Sequence, residues 1–358
     1  MTAFHLPDRP RHAFVDRMVR QRKWRPQVVP AEVVGLSRDV TIYRGPRKSK
    51  LIVHEDYGDE QTYCPSLWWD MRIGSGACGL GCRGCFLMLT HRSMRDPLCP
   101  LVYDNLEDYW DAGGRWLGDP GRRAEETLAL GIDCCDSLLY EGITGHARHL
   151  IPMFADPRRN PKGNSLILLT KSTNVHFLEG LPTVNVALTF SLNPEPVADL
   201  WEGKWPDTLE RITPPIAERI RASLRAQQWG FETRWRLDPI LTPPGWPTMY
   251  REFLAEAAGM GLRPSRITLG TYREKTRQLD TWREKWKLPA MEWEPEGVAR
   301  DGTHFHVPAA DRVGVYRLVN ELCAEYFPDT RTNLCKETYS VRQQVGACDR
   351  CCNCLGSR

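Results

Sequence analysis

One short segment constrains this chain more than any other: Gly76-Ala-Cys78-Gly-Leu-Gly-Cys82-Arg-Gly-Cys85-Phe86. The spacing is Cys-x3-Cys-x2-Cys. Three thiolates can hold three corners of a cubane [4Fe–4S] cluster and leave the fourth iron open. The interleaved glycines let the backbone wrap closely around such a group. A zinc site usually wants a fourth protein ligand and paired Cys-x2-Cys knuckles, and the next ligand type, His91, lies six residues beyond Cys85. A disulfide would leave one of the three thiols over. The leading reading is therefore an open-iron cluster on Cys78, Cys82 and Cys85, with zinc as the alternative.

The chain has 358 residues and 13 cysteines. Disulfide-rich secreted proteins are mostly short, and an odd count leaves a thiol unpaired, so metal ligands and catalytic thiols in a reducing compartment fit better. With 41% apolar and 26% charged residues the composition is that of a soluble globular protein. No stretch reaches the roughly 18 apolar residues of a membrane span, and the first 25 residues lack a signal-peptide pattern. These absences lead to an expectation of a cytoplasmic protein with no membrane partner. The net charge of +3 is unevenly spread, because residues 1–50 carry twelve Lys/Arg against four acids. A basic segment of this kind suits a polyanion, nucleic acid first. It equally suits a solvated face, since Trp24, Val28, Val29, Val33 and Val34 read as packing residues.

Residues 1–66 read as a basic extension with short strands at 40–43 and 51–54. From residue 67 short apolar runs alternate with amphipathic stretches. Strands are expected at 67–73, 137–140, 166–170, 184–191, 232–241 and 266–272, with helices at 214–229, 246–260 and 310–326. Apolar runs bounded by turn residues suit buried parallel strands. Six of them with intervening helices predict an α/β protein built on a partial (β/α)6 barrel. That gives three regions: an extension at 1–66, a barrel at 67–280, and a C-terminal region at 281–358 with a helix and a cysteine-rich tail.

The cysteine triplet, directly after the first expected strand, resembles the radical S-adenosylmethionine (SAM) superfamily. Further segments resemble its spore photoproduct lyase family: Leu168-Leu-Thr-Lys171-Ser, Ser191-Leu-Asn193-Pro-Glu195, Glu210-Arg211-Ile212, and Asp238-Pro239-Ile240 followed by Gly245-Trp246 and Tyr250. Cys134-Cys135-Asp136-Ser137 falls where that family carries Cys-x-Ser. The likeness spans about residues 67–275. It implies a [4Fe–4S] cluster whose open iron binds SAM, and a 5′-deoxyadenosyl radical that takes hydrogen from the substrate. It also implies that Cys135 returns a hydrogen atom to the product radical, and that Ser137, Lys171, Ser191 and Asn193 contact SAM. Phe86 would wall the pocket. The family has tyrosines on either side of the third cluster cysteine; here these positions are Gly84 and Phe86, so a tyrosine relay is lost at this place.

A second cysteine group follows Cys335: Cys348, Cys351 and Cys354 form Cys-x2-Cys-x2-Cys, with Cys352 spare. Cys335 with these three can close a four-ligand site for an auxiliary iron–sulfur cluster or a structural zinc, a choice the spacing leaves open. His146 and His149 read as ordinary loop residues, His304 and His306 as surface, and Glu202 and Asp207 as helix-end charges.

The functional expectation is a radical SAM enzyme acting on a thymine-derived base in DNA, for lesion repair or base modification. The resemblance further implies an electron donor such as flavodoxin or ferredoxin, and a monomer. Two readings compete with it. One keeps the radical chemistry on a peptide or small metabolite. The other is a non-enzymatic, metal-stabilised nucleic-acid-binding protein.

Overall fold

The computed structural model describes residues 17, 19–21, 23–75, 78–85, 87, 100–203, 211–274, 291–302 and 304–356. The frame is an open eight-stranded sheet. Its strands are β3 (Ile52–Glu55), β4 (Trp68–Met71), β7 (Thr127–Leu130), β8 (Ser165–Thr170), β9 (Val186–Ser191), β10 (Glu232–Ile240), β11 (Arg266–Thr271) and β15 (Arg331–Leu334), hydrogen-bonded in that order. From β4 onward every neighbour runs parallel. Only β3 runs antiparallel, to β4. Chain order and spatial order coincide, as successive β/α units require. Among the described residues the sheet does not close between β3 and β15.

Two smaller sheets flank it. One orders β1 (Arg25–Val29), β2 (Val40–Gly45), β6 (Leu101–Tyr103) and β5 (Gly74–Ser75); the other orders β12 (Arg273–Glu274), β14 (His304–His306) and β13 (Ala299–Asp301). The regions read as flanks in the sequence thus supply both edges of the main sheet, β3 from before residue 66 and β15 from after 281.

The strands form where apolar runs are short and turn-bounded. All six residues of β9 are buried, and all six of β11, as expected of parallel strands covered on both faces. The helices are α1 (Ala31–Val34), α2 (Leu106–Leu117), α3 (Glu141–Thr144), α4 (His146–Ala155), α5 (Glu195–Glu202), α6 (Ile216–Gln228), α7 (Trp246–Gly259), α8 (Ala309–Tyr326) and α9 (Tyr339–Val345). Helix α7 buries Tyr250, Phe253, Leu254 and Ala257, the i, i+3, i+4, i+7 stripe read in the sequence. Among the described residues no helix is long and apolar enough to cross a membrane.

One expected strand is displaced. Residues 137–140 are turn, and the second barrel strand is β7 at Thr127–Leu130. Leu138, Leu139 and Tyr140 are buried all the same, so their apolar run reflects packing of a connecting loop rather than a ladder. Cys134-Cys135-Asp136-Ser137 consequently sits just past the C-terminal end of β7, the end at which sites form in barrels of this kind.

Candidate active site

The C-terminal ends of the parallel strands open into a cavity of about 420 Å³. Cys78, Cys82 and Cys85 line it, together with Cys135, Asp136, Lys171, Ser191 and Trp201. The sequence therefore brings its triplet, its candidate thiol and two candidate SAM contacts to one place.

Helix α5 holds the triplet loop. Its last carbonyls have no partner within the helix. Those of Trp201 and Glu202 instead accept the N–H groups of Gly84 and Arg83, at 3.0 and 3.1 Å. On the other side, the Tyr140 hydroxyl donates to the Cys78 carbonyl at 2.7 Å. Gly79 has φ +89°, and a Cβ there would come within 2.6 Å of that hydroxyl, so the loop needs glycine at this point. Burial pushes the Cys78 and Cys82 thiols well above their usual range, and neighbouring acids and thiols add to it. Two desolvated sulfurs on a glycine-lined loop are poor sites for a free thiolate and suit coordination to iron. Among the described residues no three His, Cys, Asp or Glu side chains are arranged to hold a single metal ion.

Behind the triplet lies a charge network. Glu202, expected as a helix-end charge, is buried, with 4% of its surface exposed. It pairs with Arg219 (2.8 Å), Arg211 (3.5 Å) and Lys171 (3.6 Å), and accepts the Thr213 hydroxyl. Burial disfavours its charge, but Arg219, Lys171 and Arg211 outweigh that and hold its carboxyl at about 2. The ammonium of Lys171 also donates to Ser191 Oγ at 2.5 Å. Asp136 fixes the start of this arrangement by accepting from the Lys171 N–H (2.7 Å) and the Thr170 hydroxyl (2.8 Å). It faces the cavity and was passed over in the sequence, where one carboxylate beside two cysteines carries no signal.

Cys135 is buried against Gly74. Burial, with Asp136 beside it, pushes its thiol up to about 12, so it is a protonated S–H at neutral pH. Ser137 and Asn193 are engaged within the frame. The Ser137 hydroxyl donates to Leu130 O (2.5 Å) and accepts the Leu169 N–H (2.8 Å), clamping β7 to β8. Asn193 donates to Pro239 O and accepts from the Tyr250 hydroxyl, tying the ends of β9 and β10. Neither residue lines the cavity; each braces the frame. Phe86 lies outside the described residues, as does Asp207. At Gly84 a Cβ would meet the Trp201 ring at 2.3 Å. The indole therefore occupies the space over the position where the family carries a tyrosine.

The other half of the cavity was legible only in part: Asp238, Cys335, Cys352 and Cys354 stood out in the sequence, whereas Cys64, Arg236 and Arg273 did not. Arg236 and Arg273 share Asp238, at 2.9 and 2.6 Å. Burial opposes the Asp238 charge, but the two guanidinium groups hold its carboxyl well below the usual range. Both arginines also donate to Cys335 Sγ, at 2.9 and 3.4 Å. Cys64, Cys352 and Cys354 line the same wall. Burial, with Cys335 and Cys352 as neighbours, pushes the Cys64 thiol up to about 12. The Cys354 S–H bonds to Cys352, which holds Cys352 below the ordinary thiol range.

The tail thus departs from the ligand set read from its spacing. Cys348 and Cys351 form a disulfide and border a separate cavity of about 410 Å³ with Arg331 and Asn333. Cys352, the spare, faces the active cavity instead, because the chain after α9 turns back and crosses the sheet. Two further expectations fail. His304 and His306 are buried rather than on the surface, with His304 lining the cavity. His146 and His149 lie on α4, where His149 stacks on Trp110.

Similarity to solved structures establishes the fold. A spore photoproduct lyase complexed with dinucleoside spore photoproduct superposes with a TM-score of 0.65 over 82% of both chains, at 17% identity. A mutant of the same enzyme, with bound AdoMet and dinucleoside spore photoproduct, superposes with a TM-score of 0.64 over 81% of both chains. The chain has the spore photoproduct lyase fold. No protein-family model matches the sequence, and no curated protein does.

Proposed function

We propose that this chain is a radical SAM enzyme acting on a thymine-derived base in DNA. The observation that carries the reading is a single cavity, at the C-terminal ends of parallel strands, lined by Cys78, Cys82 and Cys85 together with Cys135, Lys171 and Ser191. In this reading the triplet would hold a [4Fe–4S] cluster with SAM on its open iron; bound together they supply a 5′-deoxyadenosyl radical. The protein's own residues do the rest. Lys171, fixed between Ser191 and Glu202, offers an ammonium to a carboxylate. Trp201 and Leu80 wall the reacting space and exclude water. Cys135, protonated and held beside Gly74, keeps a hydrogen atom in reach of a product radical. A thiol S–H bond is weak enough to give that atom up.

The DNA substrate is supported by the family motifs, by the basic segment at 1–50, and by the dinucleoside carried by the superposed enzyme. A base inside a duplex would have to leave the stack to reach such a cavity. A second reading, with a peptide or small metabolite as substrate, is favoured by the Arg236–Asp238–Arg273 wall, which gives the cavity charged groups for an anionic substrate.

The test uses anaerobically reconstituted protein with SAM, dithionite and a synthetic spore-photoproduct dinucleoside, followed by mass spectrometry. Conversion of the dinucleoside to two molecules of thymidine, absent in Cys82→Ala, would support the lyase reading. If 5′-deoxyadenosine forms while the dinucleoside is untouched, the substrate assignment falls and the radical chemistry stands. Loss of duplex binding with rising salt would favour DNA over the peptide or metabolite.

A further inference from the structure

The proposed reaction gives no role to four thiols in the cavity wall: Cys64, Cys335, Cys352 and Cys354. They come from three stretches of chain and meet through the fold. All four line the one cavity that also holds the N-terminal triplet, and none of them is in a disulfide. We propose that these four sulfurs are the ligands of a second iron–sulfur cluster, set in the wall of the same cavity as Cys78, Cys82 and Cys85. The inference goes beyond the proposed reaction and does not depend on it.

Three observations carry it. First, four cysteines are the full ligand set of a closed cluster, and these four face one space while Cys348 and Cys351 are paired elsewhere. Second, the surroundings suit a centre of net negative charge. Arg236 and Arg273 donate N–H groups to Cys335 Sγ, and the Lys336 ammonium lies 3.4 Å from the Tyr57 ring centroid in the same wall. Donors to a ligating sulfur are the usual outer shell of such a centre and tune its potential. Third, the wall is anchored independently of any metal. Arg234 donates to Asn353 O and Leu355 O, Arg266 to Cys352 O, and Thr127 to Cys354 O, at 2.7, 2.6, 3.0 and 2.7 Å. The sulfurs are thus held on fixed backbone.

The test is made on the full chain with Cys78, Cys82 and Cys85 all changed to Ala, purified anaerobically. The expected result is about four iron and four sulfide per chain, with the absorption and Mössbauer signature of a [4Fe–4S] centre. Adding Cys335→Ala or Cys354→Ala removes it, whereas Cys348→Ser with Cys351→Ser retains it. Absence of iron and sulfide from the folded triple variant, zinc in place of iron, or loss of the centre on changing Cys348 and Cys351 would each overturn the proposal. Should the triple variant fail to fold, the unmutated reconstituted chain decides: about eight iron per chain supports a second cluster, and about four refutes it. In the unmutated chain, absence of SAM cleavage with the wall centre intact would count against the proposed reaction alone.

Discussion

The two halves of the cavity use the same materials and differ in how the chain encodes them. The half at β4, β8 and β9 takes its three cluster-motif thiols from eight consecutive residues, Cys78 to Cys85, and its lysine from a strand end. The half at β10, β11 and β15 takes Cys64, Asp238, Cys335 and Cys352 from points far apart in the sequence. In both, a buried carboxylate gathers cations beside sulfur: Glu202 with Arg219, Arg211 and Lys171, and Asp238 with Arg236 and Arg273. Local spacing reveals the first arrangement; only folding reveals the second.

The largest effect should come from the local half. Cys82→Ala is expected to reduce dithionite-driven 5′-deoxyadenosine formation to the no-enzyme background. If the variant retains activity, the triplet is not the cluster site and the contrast between the halves collapses. Next come the two carboxylates. Leaving a buried charge without its partner costs about 3–5 kcal/mol, so Glu202→Gln and Asp238→Asn should each lower the unfolding free energy from urea titration by an amount of that order. For Glu202 the sign with pH is definite. Its folded pKa is lowered to about 2, so its stabilisation is complete above its unfolded value near 4.5 and is lost as pH falls through about 2. That is worth about 3 kcal/mol over the window. The Gln variant should show a flatter acid slope, and an unchanged slope would remove Glu202 from the account.

A smaller effect sharpens the contrast within the local half. Gly84→Tyr drives a side chain into Trp201 and should cost about 1–3 kcal/mol as overpacking. Adding Trp201→Ala should restore part of the thermal stability; no recovery would mean that Trp201 is not what excludes a tyrosine. The smallest effect on rate is expected from Cys135→Ala. 5′-Deoxyadenosine release should stay within about twofold of the parent, since the thiol acts after the radical forms, while the product mixture changes. An unchanged mixture would point to another hydrogen donor.

How much of this was legible follows from the range of the interactions. The periodicity of α7 and the buried runs of β8 to β11 are local, and they were readable to within a few residues. The strand at 127–130 was missed because Leu138, Leu139 and Tyr140 form a stronger apolar run, although they pack as a turn. Lys171 and Ser191 could be carried to the cavity from motif likeness. The frame-bracing contacts of Ser137 and Asn193 could not, because a hydroxyl or an amide reads the same whether it meets a ligand or a carbonyl. Glu202 looked like a helix end because it is one; its burial depends on Arg219, seventeen residues later, and on Lys171 from another strand. The tail misled for a similar reason. Regular Cys-x2-Cys spacing suggested one set of ligands, whereas the path of the chain across the sheet turns Cys352 inward and leaves Cys348 and Cys351 to each other.

The way that tail is fastened bears on how such a site can change over evolutionary time. Arg234, Arg266 and Thr127 grip it through main-chain oxygens. Their hold does not depend on which side chains the strap displays. Substitutions at 352 and 354 can therefore rewrite the chemistry presented to the cavity while the attachment persists, which makes this wall a place where a lineage can try new reactivity on an unchanged scaffold.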